Sequence, residues 1–345
     1  MKTYLVTGGS GFFGSILKRR LLAEGNRVVS LDLHPDREQH PNLTSIRIDI
    51  RDTQKMNEAF AAQSLDGVFH TAAVLAHDTS SKQFLWTSNV LGTEVVAECA
   101  KQFRVPNVVF ISSNCLWGQP LGHPVTEEEP PNPVELYGQS KWEGEKLLAA
   151  YSGYFNAVSI RTPTIVDAGR LGLLAILFEF IDEGRRIWTV GGGHNRYQFI
   201  YAEDLCSAAM RAIHYNKSDV FNVGSDNVKT LREVYAYVIE RAQSRSQIGD
   251  LPLRPTLLAM EIGHKFKLSP LGPYHYKMIA EDFVFDTSKI KQHLGWKPTV
   301  TNEEMLWRAF HFYSTNRIEI ENRKDVSAHH KVAKMGAIRL LKWVS

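Results

Sequence analysis

A short apolar run, Thr3-Tyr4-Leu5-Val6, opens directly into Thr7-Gly8-Gly9-Ser10-Gly11-Phe12-Phe13-Gly14, and a helical pattern follows over 15–24. Glycines spaced three apart between a strand and a helix permit a turn too tight for most side chains. They also leave the first N–H groups of the helix bare, at the end where its dipole favours an anion. A turn of this kind belongs at the edge of a parallel sheet, with a pyrophosphate held over it. Gly8, Gly11 and Gly14, with Phe12 and Phe13 at the helix start, are therefore the candidate cofactor cradle.

The rest of the first half alternates in the same way. Strands are expected over 27–31, 45–48, 67–70 and 107–111, and helices over 54–61 and 93–102. Such alternation reads as a doubly wound parallel sheet. Strand two ends in Asp32, 18 positions after Gly14. A carboxylate there accepts hydrogen bonds from ribose hydroxyls and repels a 2′-phosphate, so NAD is the expected cofactor. The 345 residues suggest about two domains. The second half is more mixed, with helices expected over 171–183, 202–214 and 231–243. The expected architecture is α/β: a Rossmann-type sheet over 1–165 that also receives elements from about 185–225, and a smaller mixed lobe over 166–315 for substrate. A charged linker and tail cover 316–345.

Composition narrows the partners. A net charge of +3 gives no global footprint for nucleic acid. Cys99, Cys115 and Cys206 form neither a zinc-ligand spacing nor a disulfide framework, and the histidines form no metal constellation. Scattered thiols suit a reducing compartment, and no leader-like segment precedes the first strand, so the expected location is cytoplasmic. No run approaches the roughly 18 apolar residues of a spanning helix. Residues 331–345 place Lys331, Lys334, Arg339 and Lys342 mostly opposite an apolar face, the pattern of a membrane-surface contact.

The candidate chemistry lies at Tyr137-Gly138-Gln139-Ser140-Lys141. Tyrosine and lysine spaced i and i+4 share one helix face. A phenol with an ordinary pKa of about 10 is a poor base, and a nearby ammonium would lower that value. Tyr137 could then exchange a proton with a substrate oxygen, with Lys141 also reaching the cofactor's ribose. Upstream, strand five ends in Ile111-Ser112-Ser113-Asn114-Cys115-Leu116-Trp117-Gly118. A serine at the carboxyl end of a parallel strand stands where such sheets bind ligands, and its hydroxyl can polarise the same oxygen.

These motifs together resemble the extended short-chain dehydrogenase/reductase family, the group of NAD-dependent nucleotide-sugar epimerases and dehydratases, over about residues 3–315. The resemblance also rests on Asp49-Ile50, His70-Thr71-Ala72-Ala73, the run starting at Asn89, and the stretch around Arg196. It implies that Ser113, Tyr137 and Lys141 are the catalytic set, Ser113 rather than Ser112 because it lies five before Gly118. It implies cofactor contacts from Asp49, Ile50, Thr71, Ala72, Ala73, Asn89 and Pro163, and substrate contacts from Ser113, Asn114 and Arg196. A homodimer is usual in the family.

The departures shape the expected reaction. Family members that act as 4,6-dehydratases carry an acidic pair after the catalytic hydroxyl residue; here Asn114 and Cys115 stand there, so dehydration is not expected. GDP-fucose synthases, which resemble this stretch, have a cysteine at the position of Cys115, which implies an acid/base role in epimerisation. Arg161-Thr162-Pro163-Thr164 lacks the family's usual asparagine. Residues 251–285 are more apolar than in sugar-nucleotide enzymes and closer to 3β-hydroxysteroid dehydrogenase-like members. The expected function is hydride transfer at a secondary alcohol or ketone of a nucleotide sugar, by an epimerase or keto-sugar reductase. The alternatives are a dehydrogenase of a steroid, lipid or cyclic alcohol, and a non-catalytic NAD-binding regulator.

Overall fold

The computed structural model describes residues 1–36, 38–75, 79, 81–172, 174–266 and 273–322. The amphipathic stretch read over 331–345 lies outside the described residues. The strands are β1 (Thr3–Thr7), β2 (Arg27–Asp32), β3 (Leu43–Arg47), β4 (Gly67–His70), β5 (Asn107–Ile111), β6 (Asn156–Arg161), β7 (Thr164–Val166), β8 (Ile187–Val190), β9 (Phe199–Tyr201), β10 (Asp219–Asn222) and β11 (Ile248–Leu251). The first helices are α1 (Phe12–Ala23), α2 (Thr53–Ala61), α3 (Lys82–Trp86), α4 (Gly92–Gln102), α5 (Leu136–Ala150) and α6 (Leu174–Asp182). The rest are α7 (Ala202–Ala212), α8 (Leu231–Arg241), α9 (Leu253–Lys265), α10 (Pro273–Met278), α11 (Ser288–Leu294), α12 (Asn302–Thr315) and α13 (Arg317–Asn322).

Seven strands form one sheet in the order β10-β6-β5-β4-β1-β2-β3, and every pairing is parallel. Such a sheet needs both faces covered, which is why β1, β4 and β5 read as near-continuous apolar runs. On one face Leu17 and Leu21 of α1 pack with Leu205, Ala208 and Ala209 of α7 over Val6 and Val109. On the other, Met56, Phe60, Val96, Ala100 and Leu148 from α2, α4 and α5 close over Leu5, Val29, Val68 and Phe110. The order reverses between β1 and β4, so the carboxyl ends of these strands frame a crevice, the place where such sheets bind ligands.

The chain leaves this sheet after β6 and returns for α7 and β10. Two small parallel sheets, β7–β9 and β8–β11, carry the lobe. Its core joins α6, α8 and α12 through Phe178, Val234, Val238, Leu306 and Phe310. The stretch after 316, expected as a charged linker, begins instead as helix α13. Arg317 donates to Asp182 at 2.8 Å and Glu183 at 3.0 Å, and Ile320 is buried in the lobe core. A smaller cluster of Leu116, Trp117, Val125, Tyr274, Met278, Phe283 and Phe285 sits where lobe and sheet meet.

Helix starts show where the fold leaves a terminus open. At α2, Asp52 caps the Lys55 N–H, and α8 begins with a reciprocal Thr230–Glu233 capping box. At α1 the N-cap is Gly11, with no side-chain cap and no acidic residue in the first turn. The helix starts at Phe12, three residues earlier than its periodicity suggests, because the glycine turn hands over to it without a spacer.

Candidate active site

The glycine turn is held by its neighbours. Gly8 has φ +72°, its N–H bonds the Leu31 carbonyl at 2.7 Å, and a Cβ on it would lie 2.8 Å from the Ala72 backbone. A Cβ on Gly14 would lie 2.8 Å from the Thr71 hydroxyl and closer still to the Gly8 carbonyl oxygen. The cradle is therefore built from β1, α1 and the lip after β4, where Thr71 donates to the Thr7 carbonyl at 2.7 Å. Thr71, Ala72 and Ala73 are half-buried along that lip. Phe12 and Phe13 turn their rings into the core, so the turn offers an anion only their backbone N–H groups.

Asp32 sits at the end of β2 beside this turn. One of its oxygens accepts the Ser10 N–H at 3.0 Å and the other the His34 N–H at 2.9 Å. Each oxygen keeps acceptor capacity, so the group can both staple the turn and meet a ribose hydroxyl. The Asp49 carboxylate is held by Arg51 at 3.0 and 3.1 Å, and this bonding keeps it below the usual carboxylate range. Arg51 also bonds the Thr87 hydroxyl at 2.9 Å, and Ile50 packs on the Gly92 backbone. Asn89 lies in a π-helical turn, Thr87–Leu91. Its amide clamps both backbone polar groups of Val74, at 2.8 and 3.0 Å, and reaches Ser140 at 3.0 Å. Asn89 thus ties the segment after β4 to α5.

The residues after β5 and the first turn of α5 are pressed together. Gly138 makes this possible, since a Cβ there would run into the Cys115 carbonyl. Ser113 caps the short turn Asn114–Leu116 by accepting the Cys115 N–H at 3.1 Å. The Ser113 hydroxyl and the Cys115 thiol both lie within electrostatic reach of the Tyr137 phenol. One turn along α5, Lys141 is buried, donates to the Ile111 carbonyl at 2.8 Å and stands 4.6 Å from the Phe110 ring centre. Ser113, Cys115, Tyr137 and Lys141 therefore converge at the carboxyl end of β5, on the edge of the sheet that carries the glycine turn.

The electrostatics differ from the expectation. Burial dominates at Tyr137 and pushes its phenol up; Cys115 adds to this, while the Ser113 hydroxyl and the Arg170 cation oppose it. Lys141 does not lower the phenol, because its ammonium is turned to the Ile111 carbonyl. Burial pushes Lys141 itself down to about 7, against the field of Glu145. The Cys115 thiol is pushed up to about 12 by burial, against the opposing influence of the Ser113 hydroxyl. At neutral pH the phenol and the thiol are proton donors.

Three further features escaped the sequence. Asn114 is buried, and its amide donates to the phenol oxygens of Tyr197 and Tyr274 at 2.8 Å each, while these two lie 3.1 Å apart. They come from 83 and 160 positions away, so local spacing carries no signal for them. Arg161 is buried against Glu145, at 2.9 Å, behind Lys141. Its guanidinium lies 5.1 Å from the ring centre of the buried Trp117. Finally, Arg170 stands 5.6 Å from the Phe12 ring centre, between the glycine turn and Tyr137. Pro163 is buried between β6 and β7. Arg196 is exposed at the lobe side, its backbone N–H bonded to Asp282 at 2.6 Å.

Comparison with known proteins places this geometry. The chain is 35% identical over 343 residues to the uncharacterized protein y4nG of Sinorhizobium fredii, covering 99% of this chain and 86% of that one. It is 27% identical to a UDP-glucose 4-epimerase of Mycolicibacterium smegmatis, covering 90% and 97%. It is also 26% identical to a dTDP-glucose 4,6-dehydratase of Streptomyces niveus, covering 91% and 93%. Among solved structures, a UDP-glucose 4-epimerase of Thermotoga maritima with UDP-glucose superposes with a TM-score of 0.76 at 22% identity, over 91% of this chain and 99% of that one. The NAD dependent epimerase/dehydratase family matches residues 4–224, and the chain belongs to that family of enzymes.

Proposed function

We propose that this enzyme transfers hydride between NAD and a secondary alcohol or ketone of a nucleotide sugar, as an epimerase or a keto-sugar reductase. The observation that carries this is the meeting of Ser113, Tyr137 and Lys141 at the carboxyl end of β5, beside the open N-terminus of α1. The glycine turn of Gly8, Gly11 and Gly14 would hold the cofactor, which would supply hydride exchange: oxidised in epimerisation, reduced in keto-sugar reduction. Tyr137 moves the proton at the reacting oxygen, and Ser113, beside it, orients that oxygen. Lys141, turned to the Ile111 carbonyl, ties α5 to the end of β5 and would hold the ribose beside the nicotinamide. Asp32 favours a free ribose 2′-hydroxyl over a phosphate. Cys115, held as a thiol, is not the base that would remove a proton beside the keto group.

Dehydration is not proposed, because no carboxyl group follows Ser113: Asn114 spends its amide on two phenols, and Cys115 is a thiol. Arg196 is the proposed contact for the substrate's pyrophosphate, as an exposed guanidinium suited to bidentate phosphate binding. The apolar stretch that favoured a lipid alcohol divides between the small core of Met278, Phe283 and Phe285 and the exposed side of α9. What it brings to Asn114 is a phenol, and a wall of two phenols and an amide suits a hydroxylated ring better than a sterol face.

The test is NAD-saturated enzyme with UDP-glucose, UDP-galactose, dTDP-glucose and GDP-mannose, and NADH-loaded enzyme with a dTDP- or GDP-4-keto sugar, followed at 340 nm and by product chromatography. At least one is expected to react, and Tyr137→Phe is expected to slow it by about 10²–10⁴-fold with NAD affinity unchanged. Reaction only with a 3β-hydroxysteroid or cyclohexanol would move the substrate to the lipid class. Bound NAD with no turnover on any of these would leave a binding protein.

A further inference from the structure

α9 is the one long helix among the described residues that buries none of its own side chains. It follows β11 and makes its closest helical contacts with α10, whose Tyr274 reaches Asn114. Thr256, Leu257, Met260 and Gly263 turn partly inward. The outward side carries Leu258, Ile262 and Phe266, exposed to 60%, 49% and 68%. Spaced four apart, they form a continuous ridge. With Leu253 they make four of the ten large apolar side chains exposed among the described residues, gathered within one segment. Contiguous exposed apolar surface of this kind marks a contact site.

Charge decides what the ridge fits. Arg254 heads the same i, i+4 row, and Lys265 stands three after Ile262; both are exposed, so a cation stands at each end. Glu261 is the acidic residue beside the row. Pairing this ridge with a second copy, parallel or antiparallel, brings cations onto cations. The C-terminal stretch 331–345 carries Lys331, Lys334, Arg339 and Lys342 and no acidic residue, so it meets the same repulsion. An anionic lipid surface satisfies both features: apolar side chains enter the acyl boundary while flanking cations stay among the headgroups. We propose that α9 docks this enzyme on an anionic membrane surface through Leu258, Ile262 and Phe266, with Arg254 and Lys265 at the headgroups.

The full chain is floated with vesicles of phosphatidylcholine alone and with 30% phosphatidylglycerol, at about physiological salt. The wild type is expected to float with the anionic vesicles and at least fivefold less with the neutral ones. Leu258→Glu/Ile262→Glu should lose at least fivefold of the anionic flotation, whereas Leu258→Phe should keep it. Both positions are exposed, so melting temperature and NAD binding of these variants report intact folding. Failure of the wild type to float overturns the proposal. So does equal flotation of the Glu variant, alongside loss in a variant with Lys331, Lys334, Arg339 and Lys342 changed to Gln, which would assign binding to the tail. A larger species by light scattering that falls apart in the Glu variant would assign the ridge to self-association and overturn it as well.

Discussion

Burial acts on His70 as it does on Lys141, with a cleaner consequence. The imidazole closes the end of β4, with the Thr7 hydroxyl at 2.7 Å on one nitrogen and the Thr93 hydroxyl at 2.9 Å on the other. Desolvation, helped by the Lys141 field, holds it down to about 3, so it is neutral in the folded chain. From 6.5 down to about 3 the unfolded chain takes up a proton that the folded chain refuses, and stability falls as pH falls through that window. Between pH 7 and 5 the wild type should lose about 2 kcal/mol more than His70→Gln, measured by urea unfolding at both pH values. Equal losses would mean that His70 titrates in the folded state. In the glycine turn, Gly14→Ala must displace the Gly8 carbonyl. NAD affinity measured by calorimetry should fall at least tenfold, with far-UV dichroism unchanged.

Among the elements, α5 carries the proposed chemistry and also a buried charge. Arg161 of β6 bonds both oxygens of Glu145, at 3.1 and 3.2 Å through Nε, and its other arm reaches the Glu127 carbonyl at 3.0 Å. In a segment that lacks the family's usual asparagine, this arginine locks α5 to the sheet. Removing one partner leaves an uncompensated buried charge, so Glu145→Leu should cost about 3–5 kcal/mol. The double variant Glu145→Leu/Arg161→Met should recover much of that loss, because no charge is left buried. Urea denaturation of the three proteins checks this; equal destabilisation of single and double variants would refute it. β1 to β5 and the helices α2 and α4 were legible as short apolar runs alternating with helical patterns, whereas β6 and β10 had no range assigned from sequence. The start of α1 was not legible, because its first turn contains glycine and two buried rings rather than a periodic stripe.

For the molecule as a whole, the question is how the lobe is tied to the sheet at the site. The Tyr274 N–H bonds the Glu135 carboxylate at 2.7 Å, just before α5, and its phenol takes one of the Asn114 N–H groups. Both contacts cross from α10 to the elements that hold Ser113 and Tyr137. A double-mutant cycle of Tyr274→Phe with Asn114→Ala should give a coupling of about 1 kcal/mol in unfolding free energy. A value near zero would mean that the lobe is positioned by the apolar cluster of Trp117, Phe283 and Phe285 alone.

The class of fold was readable from local pattern, as were the candidate residues of the site. A parallel sheet demands buried strands, covering helices and an open helix start at the switch point, and each leaves a mark over neighbouring residues. The candidate set of Ser113, Tyr137 and Lys141 came from the i, i+4 spacing on α5 and from the resemblance, and the structure brings the three together at the end of β5. Only the tertiary structure decided their charge states, because burial is a property of what the rest of the chain places around a group. It decided equally that Asn114 meets Tyr197 and Tyr274, and that Leu258, Ile262 and Phe266 face solvent. Contacts between segments far apart in the chain depend on how the lobe packs, which no local pattern encodes.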